Sequence, residues 1–521
     1  MAQRQQPMVI LSEDNERTQG EDAQDSNIRA GKAVANSVRT TLGPKGMDKM
    51  LVSSSGDVTI TNDGATILNE MDIEHPAAQM LVEVAETQEI EVGDGTTTAA
   101  VLAGELLAEA EELLDQDLHP TVIVEGYHEA AELAHEAIDD QTLDVDLDDE
   151  TLEAVASSSM TGKGTGDVTV DALAAPVVSA VQQVATDSGV DREDIHIHTH
   201  PGASTSATEL IEGVVIDETP LDDTAPSQLS EATTAALDTD LEFDTGEADA
   251  EYNISDVDQL NEAIAAEEEE LEAYAETIAD AGVELLFVTG DIDDRVASRL
   301  AAEGIVAFED IDSSDVDAIA AATGARQLGT LEDIEDDDLG TTASLSVESY
   351  GEDTFTFVEG ADTAHVSLFV RGSTDHVVDE LERALNDALD VVIAALDAGG
   401  VVGGAGASEI AIADYVRGHA AGVEGRKQLA IEAFTTAVDE LPRTLAENTG
   451  MDPIDALVDL RARHDAQGRG GLVSTGRSGK VGDPVEEDIL DPAAVKHEAI
   501  DSATEAATMI LRIDDVISSD G

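Results

Sequence analysis

Apolar residues recur at helical spacing over much of the chain. Intervals of three and four residues predict amphipathic helices over residues 28–38 and 77–89. The clearest helical pattern begins after residue 96, where glutamates separate the apolar positions, and another covers residues 381–396. The apolar stripes of these last two helices are Leu102, Leu106, Ala110 and Leu113 in the first, and Leu381, Leu385, Leu389, Val392 and Leu396 in the second.

Short apolar runs predict strands in other places. Residues 52–60 have the pattern of a hairpin, and residues 210–217 have that of a buried strand. Two further runs, 284–289 and 305–308, are separated by a helical pattern around Val296. Because strand and helix alternate there, we expect a βαβ arrangement in the middle of the chain.

The same middle region lacks the residue patterns of an enzyme site. It contains no His pair at metal-ligand spacing and no nucleophile elbow. His196, His198 and His200 alternate as they would on one face of a strand. Surface or salt-bridging roles are therefore expected for these histidines in preference to a metal site.

The composition bounds the class of protein. A chain of 521 residues should hold more than one domain, roughly three at about 150 residues each. The absence of Cys excludes disulfides, Cys-ligated metals and thiol chemistry. No apolar run approaches the length of a membrane span, which is about 20 residues, so we expect a soluble cytoplasmic protein without a membrane partner.

The charge is extreme. Lys and Arg number 25 and Asp and Glu number 115, so the net charge is 25 − 115 = −90 with His neutral. Such a chain repels itself in dilute buffer, whereas at molar salt the Debye length falls to about 3 Å and the repulsion is screened. Acidic disorder is the competing explanation, but 42% hydrophobic content with helical patterning opposes it. We expect a salt-adapted cytosol and no nucleic-acid partner, because no basic patch exists.

The stretch Gly93-Asp94-Gly95-Thr96-Thr97-Thr98 carries the strongest chemical signal. Glycines permit close approach of a ligand to the backbone, and the N–H groups at the start of a helix favour phosphate. Asp94 repels phosphate unless a hard cation such as Mg²⁺ lies between them. The plainer alternative is a turn followed by a Thr N-cap. Six residues in this order favour a Mg-nucleotide site.

Three other loops contain candidate site residues. In the Gly-Pro-Lys-Gly loop, Thr41, Gly43 and Lys45 are potential phosphate contacts. Asp63 precedes a glycine, so its default interpretation is a turn aspartate. Lys163 lies in a Ser- and Gly-rich stretch that is typical of a flexible loop, but it is one of few lysines in the chain.

Several separated motifs together resemble those of one protein family. The chain resembles group II chaperonins, the family of the archaeal thermosome and its eukaryotic cytosolic relatives. The resemblance runs through the whole chain without gaps of consequence. The motifs are TLGPKGMDKML, TNDGATIL, GDGTTTAAVLAGELL, VRGSTDHVVDELERALNDALDVV, RKQLAIEAF, LAENTGMDPID and SATEAATMILRIDDVI.

The resemblance implies a multi-domain fold of α plus α/β class. A mainly helical equatorial ATPase domain is joined through a small intermediate domain to an α/β apical domain with a helical lid protrusion. In this numbering the equatorial domain comprises 1–146 and 399–521, the intermediate domain 147–211 and 366–398, and the apical domain 212–365, with the lid at about 239–270.

The resemblance also assigns roles to individual residues. Asp63 and Asp387 are implied to be catalytic, and Asp94 is implied to be the metal ligand, with ATP, Mg²⁺ and K⁺ as cofactors. Helical periodicity alone places Asp387 opposite the apolar stripe, which is typical of a solvated aspartate. The implied nucleotide contacts are Leu42, Gly43, Pro44, Gly95, Thr96, Thr97, Thr98, Thr161, Lys163, Gly404, Ala405, Gly471 and Asp491.

Two departures from the family pattern bear on nucleotide affinity. Ala405 stands where group II chaperonins usually have the middle glycine of three, and its methyl group would crowd the ribose. The stretch VSTGRSGK replaces the usual Asn- and Ile-rich segment near the adenosine. Both changes motivate the alternative of a ring subunit that binds nucleotide but hydrolyses it weakly.

The favoured function is an ATP-dependent chaperone, an ATP hydrolase that forms stacked double rings with like subunits. We expect it to enclose non-native polypeptides and to need no separate lid co-chaperonin. A second alternative, a monomeric small-molecule phosphotransferase, rests on the phosphate loop alone. No GxxxxGK[ST] or GxGxxG motif supports another nucleotide fold.

Overall fold

A computed structural model describes residues 15–163, 170–186, 189–202, 208–222, 224–243, 257–331, 334–351, 353–360, 365–475 and 478–519. The chain divides into two compact units. One is formed from residues up to 178 together with 383 onward, and the other from 179–382. None of the described helices carries an apolar stretch long enough to cross a bilayer.

The described part of the chain contains these α-helices in order: α1 Glu21–Val38, α2 Gly64–Asn69, α3 Pro76–Val92, α4 Thr96–Asp115, α5 Pro120–Gln141, α6 Asp149–Met160, α7 Val170–Val184, α8 Val257–Asp280, α9 Asp294–Glu303, α10 Ser313–Thr323, α11 Asp375–Ala398, α12 Ala407–Ala420, α13 Lys427–Asn448, α14 Pro453–Gln467 and α15 Ala493–Leu511.

Its strands are β1 Asn15–Gln19, β2 Lys49–Val52, β3 Val58–Thr61, β4 Ile195–Pro201, β5 Glu209–Ile211, β6 Gly213–Ile216, β7 Gln228–Leu237, β8 Leu285–Val288, β9 Val306–Phe308, β10 Gln327–Leu328, β11 Gly340–Tyr350, β12 Asp353–Gly360, β13 Val366–Gly372, β14 Val401–Gly403, β15 Gly471–Thr475, β16 Ser478–Gly482, β17 Leu490–Pro492 and β18 Asp515–Ser519.

The first unit is a helical bundle built around α4. Helices α1, α3, α5, α13 and α15 pack against α4, and the apolar residues that predicted it are buried. Glycines let the backbones approach closely: a Cβ at Gly104 would lie 2.2 Å from the Cβ of Ala35 on α1. With few aromatic residues, this core is filled mainly by Ala, Leu, Ile and Val. The helix predicted over 77–89 is confirmed as α3.

Four two-stranded ladders complete this unit. β2 and β3 form the predicted hairpin, and β1 pairs with β18 near the two ends of the described chain. β14 pairs with β17, and β15 pairs with β16. The β14–β17 and β15–β16 ladders bring residues near 404 and 471 to the start of α15.

The second unit is an α/β structure. A seven-stranded sheet has the order β6-β12-β11-β7-β8-β9, with β10 beside β7. The parallel steps from β7 through β8 to β9 are connected by α8 and α9, which confirms the predicted βαβ arrangement. A separate three-stranded sheet has the order β4-β13-β5. The α plus α/β fold class is therefore confirmed.

One strand prediction is wrong in detail. The apolar run 210–217 forms two strands, not one, because β5 pairs with β13 whereas β6 pairs with β12 in the larger sheet. The chain changes sheets at Glu212. Alternation in the sequence shows that residues are extended, but it does not show which partner each half pairs with.

The alternating histidines lie on β4 as expected. His200 is buried beside Phe355, and His196 stacks on His365 with ring centroids 6.3 Å apart. Burial lowers the pKa of His196 and of His198. Within the part of the chain that the structure describes, no group of three His, Cys, Asp or Glu side chains is arranged to hold a metal ion.

Candidate nucleotide site

A cavity of about 660 Å³ opens in the first unit, in the size range of small-molecule sites. It brings together most of the residues singled out in the sequence, including both phosphate-loop candidates and Asp63. Its lining includes Thr41, Leu42, Gly43, Pro44, Asp63, Asp94, Gly95, Thr96, Thr97, Thr98, Thr161, Lys163, Ala405 and Asp491. Among the described residues that were predicted, Lys45, Gly404, Gly471 and Asp387 are not part of the lining.

The start of α4 is built to receive an anion. Gly93 and Gly95 adopt left-handed conformations, with φ of 67° and 84°, which a side chain would strain. Gly95 is the N-cap, and no side chain caps the helix. The alternative of a Thr N-cap is therefore wrong. The first-turn N–H groups remain available to a ligand, and the helix dipole favours a negative one.

Asp94 points its carboxylate back over this turn. Its Oδ1 accepts a hydrogen bond from the backbone N–H of Gly95 at 2.7 Å. The side chain of Gln88 donates to the Asp94 carbonyl at 2.7 Å and thereby fixes the loop. A carboxylate beside an uncapped helix start fits Mg²⁺, because Mg²⁺ commonly takes one or two carboxylates plus substrate phosphates and water.

Asp63 caps a helix and also lines the cavity. As the N-cap of α2, its Oδ2 accepts a hydrogen bond from the Thr66 N–H at 2.6 Å, and its Oδ1 accepts one from the Thr96 hydroxyl at 3.2 Å. Gly64 makes this meeting of helix starts possible, since a Cβ there would lie 2.5 Å from Thr97 Oγ1. The turn aspartate is thus also a cavity residue.

Lys163 forms a buried ion pair with Asp387 on α11. The solvated position that periodicity suggests for Asp387 is wrong, because α11 is covered on more than its apolar stripe. The loop before Lys163 is held by Asn62, whose side chain donates to the Gly162 carbonyl at 2.8 Å. Asp387 is therefore linked to the cavity through Lys163 although it does not line it.

Burial and neighbouring charges control the protonation of this pair. Burial raises the pKa of Asp387 to about 7, and Asp63 and Asp94 add to the rise while Lys163 opposes it. Burial also disfavours the charged form of Lys163, but Asp387 and Asp94 outweigh it and raise the pKa of Lys163. The lysine is therefore a fixed positive charge among carboxylates.

Glu89 on α3 is a neighbour that the sequence did not identify. Burial raises its pKa to about 9, and repulsion from Asp387 and Asp63 adds to the effect. Its Oε2 has no hydrogen-bond partner among the described residues. Glu89 lies in an acid-rich helix, and no local pattern separates it from the exposed glutamates beside it. Its raised pKa comes from burial and from carboxylates that are distant in the sequence.

Residues of β15 and β17, together with Ala405 after β14, also line the cavity. Gly404 and Gly471 do not line it but allow it to close: a Cβ at Gly471 would lie 3.2 Å from the Gly404 carbonyl oxygen. Ala405 adopts a left-handed conformation with φ of 55°. Apolar residues provide a surface suited to a nucleobase, namely Leu441, Leu445, Leu472, Val473, Ile489 and Val495.

Comparison with known proteins decides the family. The model of the TCP-1/cpn60 chaperonin family matches residues 34–520. The chain belongs to that family. This chaperonin is 65% identical to thermosome subunit 3 of Haloferax volcanii over 518 residues, which cover 99% of each chain.

Other relatives of this chaperonin support the same grouping. Thermosome subunit alpha of Halobacterium salinarum is 51% identical and covers 99% of this chain and 92% of its own. Thermosome subunit beta of Methanothermobacter thermautotrophicus is 47% identical and covers 100% of this chain and 96% of its own. The predicted group II chaperonin of a salt-adapted archaeon, an ATP-dependent chaperone and ATP hydrolase, is confirmed. The phosphotransferase alternative is thereby excluded.

Proposed function

We propose that the cavity in the first unit binds Mg-ATP and hydrolyses it with Asp63 and Asp387. The convergence of an uncapped helix start, three carboxylates and one buried lysine carries this proposal. Phosphoryl transfer requires positioning of water and compensation of charge more than covalent chemistry. ATP turnover by the assembled protein and by an Asp387 variant tests it, as designed below.

The residues divide the work by position. The N–H groups of Thr96, Thr97 and Thr98 bind the phosphate oxygens at the start of α4. Asp94 would hold Mg²⁺, which would supply positive charge to compensate that of the phosphates. The hydroxyl oxygens of Thr41 and Thr97, 3.4 Å apart, are neutral oxygens of the kind that suits K⁺.

Asp63 and Asp387 orient the attacking water, and one of them accepts its proton. Lys163 neutralises Asp387 in their ion pair. Phosphate oxygens of bound ATP compete for Lys163, since both are anionic partners of one ammonium group. When Lys163 leaves the ion pair, the Asp387 carboxylate is free to accept a hydrogen bond from water. Binding and activation of the base are thereby coupled.

Ring assembly is supported by an apolar hairpin in an acidic protein. Met47, Met50 and Val52, at and beside β2, are exposed by 67%, 67% and 64%. Such an exposed strand offers unpaired backbone groups and apolar side chains to another chain. We propose that a like subunit covers it in each ring of a stacked double ring. Native mass spectrometry in a volatile salt tests this, and a Met50→Asp variant should disassemble.

We assign residues 1–146 and 399–521 to the equatorial domain, 147–211 and 366–398 to the intermediate domain, and 212–365 to the apical domain. The lid comprises about 239–270, of which 244–256 lie outside the described residues. The part from Val257 belongs to α8. An ion pair joins α8 to α9, with Nη2 of Arg295 on α9 lying 2.6 Å from Oε1 of Glu267 on α8. Protection of residues 240–265 from protease on adding ATP with a phosphate analogue tests closure without a co-chaperonin.

The proposed clients are non-native polypeptides, and the proposed compartment is a cytoplasm rich in KCl. The charge of −90 favours this setting because only high salt screens it. The alternative of a weakly hydrolysing ring subunit is favoured by Ala405, whose methyl group lies in the lining of the cavity, 3.3 Å from where a Cβ at Gly471 would be. Turnover per subunit at saturating ATP separates the two functions.

A further inference from the structure

Lys496, in the first turn of α15, is a second buried lysine in the lining of the cavity. Its Nζ lies 2.9 Å from Oε1 of Glu409 and 2.7 Å from Oδ2 of Asp491. The exposed fractions of these side chains are 11% for Lys496, 7% for Glu409 and 26% for Asp491. All three side chains belong to the lining of the cavity, and Asp491 is the most exposed of them.

The group of three has a defined charge. Burial disfavours a charged Lys496, but Asp491 and Glu409 outweigh it and raise the pKa of the lysine. One ammonium and two carboxylates sum to +1 − 2 = −1. A net negative group repels phosphate, so Lys496 does not serve as a second phosphate contact. A negative group instead attracts hydrogen-bond donors.

Asp491 is held from a second side by the backbone. It belongs to β17 and pairs with Val402 of β14. A Cβ at Gly404 would lie 2.9 Å from Oδ1 and 3.0 Å from Oδ2 of Asp491, so a side chain at position 404 would displace the carboxylate from its present position. No other hydrogen bond to the Asp491 carboxylate occurs among the described residues.

We propose that Lys496 is a positioning residue that, together with Glu409, fixes the Asp491 carboxylate to accept hydrogen bonds from the ribose hydroxyls of the nucleotide. The proposal rests on ATP binding in this cavity. One carboxylate oxygen is occupied by Lys496, and the other remains for a hydroxyl donor. A site built to bond a hydroxyl discriminates strongly against a ligand that lacks it.

The test compares ATP with 2′-deoxyATP and 3′-deoxyATP. Dissociation constants are measured by calorimetry in molar KCl with Mg²⁺ on the assembled wild-type protein. We expect at least one deoxy nucleotide to bind about 10-fold more weakly than ATP, because one charge-assisted hydrogen bond is lost. The discrimination ratio is the dissociation constant of the deoxy nucleotide divided by that of ATP. Lys496→Met should reduce this ratio to near one, whereas Lys496→Arg should retain most of it.

Controls separate positioning from general damage. Lys427→Met removes an ion-paired lysine outside the cavity, its partner being Glu129, and should leave the ratio unchanged. In a double-mutant cycle, the ratio should be the same in Asp491→Asn and in the double variant Asp491→Asn with Lys496→Met. If Lys496→Met fails to assemble, Glu409→Gln loosens Lys496 without removing it and should lower the ratio partially.

A wild-type ratio near one for both deoxy nucleotides overturns the proposal. A ratio in assembled Lys496→Met equal to that of the wild type also overturns it. If Lys496→Met does not assemble, a ratio in assembled Glu409→Gln equal to that of the wild type overturns it instead. Absence of ATP binding by the wild-type protein would refute the nucleotide site itself, and that outcome is distinct because no ratio could then be measured.

Discussion

Lys163, which lines the cavity of the first unit, forms a buried ion pair with Asp387, although the two residues are far apart in the chain. The pair joins the loop after α6 to the middle of α11. A buried pair of this kind adds little stability overall, but removing one partner leaves an uncompensated charge at a cost of about 3–5 kcal/mol. We therefore expect the ion pair to contribute to the chemistry of the site more than to stability.

Asp94→Ala should abolish Mg²⁺-dependent ATP binding. Without the carboxylate, phosphate charge at the start of α4 lacks its bridging cation. Calorimetry with saturating Mg²⁺, and again with EDTA, measures the dependence. Asp115→Ala, an exposed aspartate at the other end of α4, is the matched control. Unchanged ATP affinity in Asp94→Ala would remove Asp94 from the metal site.

Ala405→Gly should stabilise the protein and tighten ATP binding. The left-handed conformation at φ of 55° costs an alanine about 1–2 kcal/mol, and glycine gives back about 0.5–1 kcal/mol through its entropy in the unfolded chain. Thermal melting and calorimetry measure the two effects. An equal or weaker affinity for ATP would show that the methyl group does not crowd the nucleotide.

Glu89 makes stability depend on pH in a defined direction. Its pKa is about 9 in the folded protein, so between an ordinary carboxyl pKa and 9 the folded state holds a proton that the unfolded chain releases. The contribution of Glu89 to stability is present at low pH and is lost as pH rises through 9. The side chain introduced by Glu89→Gln is neutral at every pH. The melting temperature of Glu89→Gln should therefore exceed that of the wild type by an amount that grows from pH 6 to pH 9.5.

That melting comparison is made without nucleotide and with EDTA, so that no cation perturbs the carboxylates. Glu91→Gln, an exposed neighbour on α3, should show no such trend. Parallel pH dependence in Glu89→Gln and wild type would mean that Glu89 is ionised in the folded protein.

Stability should rise steeply with salt. A net charge of −90 repels itself over about 30 Å at 0.01 M salt and over about 3 Å at 1 M. The melting temperature of the assembled particle, followed from low to molar KCl, measures the effect. A melting temperature independent of KCl would mean that the acidic surface is not an adaptation to salt.

Local chemistry predicted much of the site, and long-range packing explains what was missed. The glycines before α4 and the threonines of its first turn act through their own backbone, and Asp63 caps the helix that follows it. Glu89, Glu409 and Lys496 carried no signal because their environment is created by distant elements. The burial of Asp387 likewise depends on what covers α11, which periodicity along one helix does not reveal.

The most direct measurement is ATP turnover by assembled Asp387→Asn in molar KCl with Mg²⁺, alongside its ATP dissociation constant. Loss of the base should lower kcat by about 100-fold or more, because general base catalysis contributes about 10²–10⁴. Binding should persist, since Asp387 does not line the cavity. Asp397→Asn, exposed on the same helix, should match the wild type. A kcat for Asp387→Asn near that of the wild type would contradict the assignment of Asp387 as a catalytic residue.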